Sequence, residues 1–178
     1  SPSRGLGDVY KRQVLDVDGW LRTGDQARIE GRHLYITGRI KDILVLSNGE
    51  KVSPADMEMA IGLDPLFEQV LIVGEGHPFL AALLVLEAHS WPPLAREFGL
   101  DPESRDSLAN PLLLKAMLKR VRDALGNFPG YAKIRRVLLL LDPWTIDNGL
   151  MTPTLKFRRN RVIAQYRAEI TRLYEPGT

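Results

Sequence analysis

The sequence contains no cysteine, and that absence excludes several kinds of chemistry. Disulfide bonds, thiolate metal sites and a thiol nucleophile all need a cysteine side chain. The chain also has no run of about 18 apolar residues, the length that a membrane-spanning helix needs, and its N-terminus has no charged-then-apolar secretory pattern. We therefore expect a cytoplasmic protein that makes at most peripheral membrane contact.

Charge of one sign and aromatic side chains are also scarce. The 24 basic and 22 acidic residues leave a formal net charge of +2, and aromatic residues make up 7% of the sequence. Proteins that bind nucleic acid usually concentrate positive charge on one face. A basic cluster near the C-terminus departs from this balance, but such a cluster is more often a solvated helix face. We therefore expect no nucleic acid partner.

Motifs for metals and for phosphate loops are missing as well. The three histidines, His33, His77 and His89, show no ligand spacing, and no Gly-x-x-x-x-Gly-Lys-Ser/Thr segment exists. Zinc sites and phosphate-cradling loops are recognised by such spacing. The sequence therefore predicts no metal site of its own.

What the sequence does contain is a mixture of strand-like and helical segments. Its 178 residues, of which 44% are hydrophobic, are enough for one packed domain. The segments follow one another in irregular order, which is typical of a small α+β domain. The polar, proline-containing stretch 91–110 predicts a mobile surface connection.

The individual segments are predicted from periodicity and from helix start signals. Runs 70–73 and 80–86 are expected to form a hairpin, and the Ser53 side chain is placed to cap a helix that begins at Pro54. The other predicted strands cover 33–37, 43–46 and 135–141, and the other predicted helices cover 93–98, 111–125 and 157–174.

Three short segments carry the functional signal. The letters GWLRTGD occupy positions 19–25, GRIKD occupies 38–42 and TPTLK occupies 152–156. Each segment alone is ordinary, but their order and spacing resemble the AMP-forming adenylating enzymes, more narrowly the long-chain fatty acid–CoA ligases. The resemblance extends over almost the whole chain, from about residue 14 to residue 174.

The resemblance also implies a domain organisation. In that family a larger N-terminal domain, which builds most of the ATP and acyl pockets, precedes these motifs. Residues 14–38 are then the end of the large domain, and residues 39–178 are the mobile C-terminal lid domain, with a few-stranded sheet flanked by helices. Residues 1–13 do not match the pattern, resemble linker-derived sequence and are left unassigned. We expect such a fragment to be inactive alone.

Lys156 is the catalytic candidate that the resemblance implies. Adenylation joins a carboxylate to the α-phosphate of ATP, so a cation that touches both anions would hold them together and neutralise the transition state. The restricted loop Thr152-Pro153-Thr154 precedes the lysine and would fix its stem. Without the resemblance, a lone lysine after a proline is more often a solvated surface charge.

The resemblance assigns further roles near the start of the chain. Asp25 corresponds to the aspartate that accepts hydrogen bonds from the ribose hydroxyls, and a carboxylate offers two acceptors to a vicinal diol. Arg39 adds donors to the same sugar. Lys41 takes the hinge position, where backbone torsions change as the small domain rotates between half-reactions. Taken alone, these residues are an ordinary turn and a solvated charge pair.

Gly49 is the candidate for the CoA tunnel. The segment 47–54 resembles the loop that enters the active site after rotation and lines the path of the pantetheine arm, where glycine lets a thin chain pass. The long-chain type usually carries two adjacent glycines, whereas this chain has Asn48-Gly49. The alternative is that Asn-Gly is simply a hairpin turn.

The function that the resemblance implies is ATP-dependent formation of an acyl-adenylate and then of acyl-CoA. Its substrates are a fatty acid, ATP and CoA, with Mg²⁺ held by the large domain, which is also the partner of this chain. The alternative from another class is a non-catalytic binding or regulatory module that docks on a partner enzyme. Such a module keeps the folded core but needs none of the motif chemistry.

Overall fold

The computed structural model describes residues 23–39, 42–130 and 133–177. The chain divides into two compact units, with the division between Ile43 and Leu44. The predicted segment 1–13, the hinge candidate Lys41 and the first part of the 14–38 segment lie outside the described residues. The predicted domain boundary at residues 38 and 39 stays a prediction.

The first unit contains an antiparallel hairpin. Strand β1 (Asp25–Glu30) pairs with β2 (His33–Arg39), in a register that sets Asp25 opposite Arg39 and Glu30 opposite His33. Gly31 adopts a φ of +62° in the tight connection, a conformation that suits glycine. The strand predicted over 33–37 is therefore confirmed and is slightly longer.

The second unit begins with a short hairpin and a helix. Strand β3 (Leu44–Val45) pairs with β4 (Lys51–Val52), and helix α1 (Pro54–Gly62) follows directly. Pro54 stands in the first turn as predicted. The predicted capping role of Ser53 is wrong, because its side chain makes no capping hydrogen bond although its backbone is extended at the N-cap position.

A three-stranded sheet forms the centre of the second unit. Strands β5 (Phe67–Val73) and β6 (Leu80–Leu86) form the predicted antiparallel hairpin, and β7 (Ile134–Leu140) pairs with β6 in parallel. The order β5-β6-β7 leaves β6 in the middle. Every residue of β6 is buried, because its two faces pack against two separate hydrophobic clusters.

The remaining helices cover the two faces of this sheet. They are α2 (Trp91–Glu97), α3 (Pro111–Ala124), α4 (Arg159–Gln165) and α5 (Arg167–Leu173), with a 3-10 helix at Arg105–Ala109 between α2 and α3. Helices α1, α2 and α3 contribute to one cluster, while α4 and α5 contribute to the other. The predicted α+β class is confirmed. In the part of the chain that is described, no helix is long and apolar enough to cross a membrane.

Two predicted features of the helical segments are wrong. The stretch 91–110 is not simply a surface connection: it contains α2, where a helix over 93–98 was predicted, and the 3-10 helix, and the buried Trp91 donates from Nε1 to the Pro102 carbonyl at 2.9 Å. The single helix predicted over 157–174 is two helices that meet at Tyr166, whose φ of −102° and ψ of 24° interrupt the helical path. The first begins later than predicted because Phe157 pairs with Met151 in a β-bridge.

Ion pairs join the helices of the second unit at its surface. The Arg120 guanidinium of α3 donates to both carboxylate oxygens of Asp64, just after α1, at 2.8 Å each. These hydrogen bonds hold the pKa of Asp64 below its ordinary value, with the backbone amide of Leu66 acting in the same direction. Helix α3 begins at Pro111 as predicted, and Asn110 Oδ1 caps it by accepting from the amides of Leu112 and Leu113.

Gly74 provides a test of the core between β3 and the sheet. A Cβ atom at this position would lie 2.8 Å from Leu80 Cδ2 and 3.2 Å from both Leu46 Cδ2 and the Phe79 carbonyl oxygen. Gly74→Ala should therefore lower the free energy of unfolding by about 1–3 kcal/mol, as overpacking does, in urea unfolding monitored by tryptophan fluorescence.

The matched control is Gly62→Ala. A Cβ there meets nothing within 4 Å, and the residue is the last of α1. This variant should be as stable as the wild type or slightly more so, by up to about 1 kcal/mol. Equal stability of the two variants would contradict the packing described for Gly74.

Candidate functional site

The predicted catalytic lysine lies at the end of a narrow, hydrogen-bonded loop. A β-bridge between Met151 and Phe157 closes the loop. Within it, the Thr152 amide donates to the Lys156 carbonyl at 2.8 Å, and the Lys156 amide donates to Thr152 Oγ1 at 3.0 Å. The Lys156 side chain is exposed. The loop therefore fixes the backbone of the lysine and leaves its ammonium group accessible to a ligand.

The residue before the lysine has an unusual backbone conformation. Leu155 has a φ of +59°, the only positive φ of a non-glycine residue in the described ranges, and its side chain is 71% exposed. The left-handed region costs a residue with a Cβ about 1–2 kcal/mol. The amide of Leu155 is held by the Thr152 carbonyl at 2.9 Å. Such strained positions concentrate at functional sites.

A buried tryptophan supports the base of this lysine loop. The Trp144 ring is 1% exposed and meets the Phe157 ring edge-on at a centroid distance of 5.1 Å. The Gln69 side chain on β5 donates to the Trp144 carbonyl at 2.8 Å and accepts from its amide at 2.6 Å, as a neighbouring strand would. The lysine loop is therefore anchored to the central sheet on this side.

Gly49 lies in a second loop, between β3 and β4. Its φ of +85° is left-handed, and a Cβ there would meet nothing within 4 Å, so the backbone angle rather than crowding requires glycine. The Gly49 amide donates to the Leu46 carbonyl at 2.9 Å, and the Glu50 amide donates to Asn48 Oδ1 at 3.0 Å. Asn48 therefore stabilises the turn in which a second glycine was expected.

This glycine loop is attached to the turn between β5 and β6. The Ser47 amide donates to the His77 carbonyl at 3.0 Å, and the Gly76 amide donates to the Val45 carbonyl at 2.8 Å. The Val45 amide in turn donates to Glu75 Oε2 at 2.7 Å. Three hydrogen bonds thus hold the loop against the end of the sheet.

An aromatic stack lies beneath that turn. The Tyr174 ring stacks on His77 with the centroids 3.6 Å apart and the rings 7° from parallel, and its hydroxyl donates to the Val73 carbonyl at 3.3 Å. Burial raises the pKa of Tyr174, so the phenol stays protonated and remains a donor at neutral pH. Tyr174, just after α5, thereby packs against the turn to which the glycine loop is hydrogen-bonded.

A surface cavity of about 420 Å³ borders the glycine loop. Lys133 and Arg135, at the start of β7, supply positive charge to it, and Glu50 supplies a negative charge. The Arg135 guanidinium also lies 5.9 Å from the centroid of Phe79. Neither basic residue was predicted to bind a ligand: Arg135 was predicted only as the first residue of a strand, and Lys133 belongs to no motif. The cavity can accept an anionic group next to Gly49.

The residues predicted to bind the ribose lie in the first unit. Asp25 and Arg39 are directly opposite each other in the β1–β2 pairing, so the register brings them together. The Asp25 amide donates to Thr23 Oγ1 at 3.2 Å. The roles predicted for Asp25, Arg39 and Lys41 stay predictions. Among the residues with a described position, no group of three or more acidic or histidine side chains is suited to a metal ion.

The fold has a clear counterpart among solved adenylating enzymes. The adenylation domain of carboxylic acid reductase from Segniliparus rugosus, solved with AMP and a co-purified carboxylic acid, superimposes with a TM-score of 0.76 at 25% identity. The match covers 95% of this chain and 25% of that one. The fold of this chain is therefore that of the C-terminal region of an adenylating enzyme, as the resemblance implied.

The sequence model of the AMP-binding enzyme C-terminal domain matches residues 41–177. The chain belongs to this family of AMP-binding enzyme C-terminal domains.

The curated relatives are named as acyl-activating enzymes or as long-chain fatty acid ligases. Probable acyl-activating enzyme 16, chloroplastic, from Arabidopsis thaliana is 34% identical over 92% of this chain, and long-chain-fatty-acid–CoA ligase 5 from Rattus norvegicus is 32% identical over 96%. A long-chain-fatty-acid–[acyl-carrier-protein] ligase from Arabidopsis thaliana is 34% identical over 92%. The chain spans about a quarter of the length of these relatives. The predicted resemblance to long-chain fatty acid ligases is confirmed.

Proposed function

We propose that this chain is the C-terminal domain of an AMP-forming, ATP-dependent long-chain fatty acid–CoA ligase. The observation that carries the proposal is the exposed Lys156 at the end of a loop whose backbone is fixed from both sides. In the first half-reaction, a carboxylate oxygen of the fatty acid attacks the α-phosphorus of ATP and pyrophosphate leaves. In the second, the CoA thiol attacks the acyl carbon, AMP leaves, and the thiol proton passes to solvent.

Lys156 acts in the first half-reaction. Its ammonium group contacts the fatty acid carboxylate and the α-phosphate, which repel each other, and it neutralises the charge that grows as pyrophosphate departs. The fixed loop supports this role, because a lysine presented on a rigid backbone loses less side-chain freedom when it binds.

The hairpin of the first unit serves the nucleotide. Asp25 accepts hydrogen bonds from the two ribose hydroxyls, and Arg39 donates to the same sugar. Their opposition across the β1–β2 pairing supports a shared ligand. Lys41 acts as the hinge around which the second unit rotates between the half-reactions.

The glycine loop and the adjacent cavity serve CoA in the second half-reaction. Gly49 lets the pantetheine arm pass along the backbone, and the phosphate groups at the end of the arm contact Lys133 and Arg135. The support is the position of these two cations in one cavity with Asn48 and Glu50, which flank Gly49.

A large N-terminal domain supplies the rest of the site. It holds the acyl pocket, the triphosphate and the Mg²⁺ that accompanies ATP, and without it this chain is inactive. We place the enzyme in the cytoplasm; the two relatives from Arabidopsis thaliana are chloroplastic by name.

Substitution of the lysine tests the proposal. The chain is added to a related long-chain ligase from which the corresponding C-terminal domain has been removed, and pyrophosphate exchange is followed with palmitate and ATP. Lys156→Ala should reduce the restored exchange by about 100-fold or more, the effect of removing one group that stabilises transition-state charge. The control is Lys115→Ala, an exposed lysine on α3 that should leave exchange unchanged.

Three outcomes of this experiment separate the functions. Exchange restored by the wild type and lost with Lys156→Ala supports the ligase. Exchange that is restored equally by both proteins supports the alternative, a module that only docks. Turnover by the chain without any large domain would contradict the proposal that it depends on one.

The basic cavity predicts selective effects on CoA. In the same complemented enzyme, the double substitution of Lys133→Ala with Arg135→Ala should raise the KM for CoA about tenfold, because two charge-assisted contacts are lost. Pyrophosphate exchange, which needs no CoA, should be unchanged.

Dephospho-CoA locates the phosphate that is contacted. If the two cations contact the 3′-phosphate, the substitution should raise the KM for dephospho-CoA less than twofold, about the limit of such assays. An equal increase for both coenzymes assigns the contact to the diphosphate. No change with either coenzyme would contradict a role of this cavity in CoA binding.

A further inference from the structure

A partly buried ion pair connects α1 with α4 across the outer edge of β5. Arg159 Nη2 lies 2.8 and 2.9 Å from the two carboxylate oxygens of Glu58. The same guanidinium donates from Nη1 to the Ile72 carbonyl at 2.9 Å, and the Ile72 amide donates to Glu58 Oε1 at 2.7 Å. The two side chains and one residue of β5 thus form a closed hydrogen-bonded ring.

This ring lies where two backbone groups need hydrogen-bond partners from outside the sheet. Because β5 is an edge strand of the sheet, backbone groups on its outer side have no neighbouring strand to bond with. Glu58 and Arg159 satisfy both backbone groups of Ile72 in place of a strand. Their side chains are only 14% and 21% exposed, so water and salt weaken these contacts less than at the surface.

Arg159 is three residues after Lys156 and begins α4. That helix has only seven residues, and its N-cap residue, Arg158, makes no side-chain capping bond. An isolated helix of this length is unstable in water, so tertiary contacts must fix its first turn. Trp144 and Phe157 hold the lysine loop on one side, and Arg159 holds the chain where the loop ends.

Glu58 connects the backbone of Ile72 to the segment that carries the glycine loop. It lies on α1, which begins at Pro54, directly after the β3–β4 hairpin that carries Gly49. Both functional loops are therefore attached, through short segments, to the backbone of Ile72.

We propose that Glu58 and Arg159 are positioning residues for Lys156: the pair fixes the orientation of the lysine loop on the domain, and adenylation depends on it more than folding does. This inference rests on the proposed function of Lys156. The glycine loop has its own hydrogen bonds to residues 75–77, so thioester formation depends less on the pair.

The chain contains a matched control pair. Asp64 follows the same helix, α1, and Arg120 donates to its two oxygens from Nε and Nη2 at 2.8 Å each, so this carboxylate is also bonded at both oxygens by one arginine. This pair leads to α3 instead of the lysine loop. Arg120→Lys therefore makes the same substitution in a second arginine–carboxylate pair next to α1, without touching the edge of β5.

Amide hydrogen exchange on the 178-residue chain tests the positioning directly. Arg159→Lys keeps the charge but loses the fork that bonds Glu58 and Ile72 together. The Thr152 and Lys156 amides, which are bonded across the lysine loop, should exchange about tenfold faster, while the amides of α3 keep their wild-type rates. Glu58→Gln, which retains an acceptor for the Ile72 amide, is the milder second variant. Arg120→Lys should leave the loop amides unchanged.

Activity of the complemented enzyme provides the functional measurement. Arg159→Lys and Glu58→Gln should each lower the maximal rate of pyrophosphate exchange about tenfold without changing the KM for ATP, because a misplaced group affects the chemical step. Thioester formation from added palmitoyl-adenylate should fall less than about twofold.

The outcomes separate this inference from the proposed function. If Lys156→Ala has no effect on exchange, the proposed function fails and the inference fails with it. If Lys156→Ala is inactive while Arg159→Lys and Glu58→Gln behave like Arg120→Lys, the function stands and the positioning role is wrong. Faster exchange of all amides together, with equal losses in both half-reactions, would mean that the pair only stabilises the fold.

Discussion

The outer edge of β5 is the point on which the proposed orientation of the lysine loop relative to the glycine loop depends. The backbone of Ile72 needs partners outside the sheet, and Glu58 and Arg159 supply them from two helices that are far apart in sequence. A partly buried charge pair of this kind contributes little net stability when it is compared with apolar residues, but removing one partner leaves the other charge poorly solvated and unpaired. Its main effect is therefore geometric, since it holds α1 and α4 in one arrangement.

The central strand explains why that arrangement is possible in so small a domain. Side chains of β6 alternate between two hydrophobic clusters, so the sheet is covered on both faces. The face covered by α1 carries the glycine loop, and the face covered by α4 and α5 carries the lysine loop. One sheet thus carries the two candidate loops on opposite faces, an arrangement that is compatible with the rotation proposed above.

The sequence predicted those features that depend on local patterns. The continuous apolar run of β6, the helix that begins at Pro111 and the turn at Gly49 all followed from side-chain chemistry and spacing, and each is present. The parallel pairing of β7 and the contact between Glu58 and Arg159 were not predicted. These two residues are 101 positions apart, and no periodicity or spacing brings them together before the chain folds. The motif that singles out Lys156 therefore could not predict the tertiary contacts that hold its loop.

The distance between the two loops is the quantity that tests this account most directly. Because the chain has no cysteine, spin labels can be attached at Lys51→Cys and Thr154→Cys, two exposed positions beside the loops. Pulsed electron paramagnetic resonance should give one narrow distance distribution in this labelled chain. The distribution should broaden when Arg159→Lys is added and stay narrow when Arg120→Lys is added. A distribution that is equally narrow with Arg159→Lys would contradict the account, because the loops would then keep their arrangement without the pair.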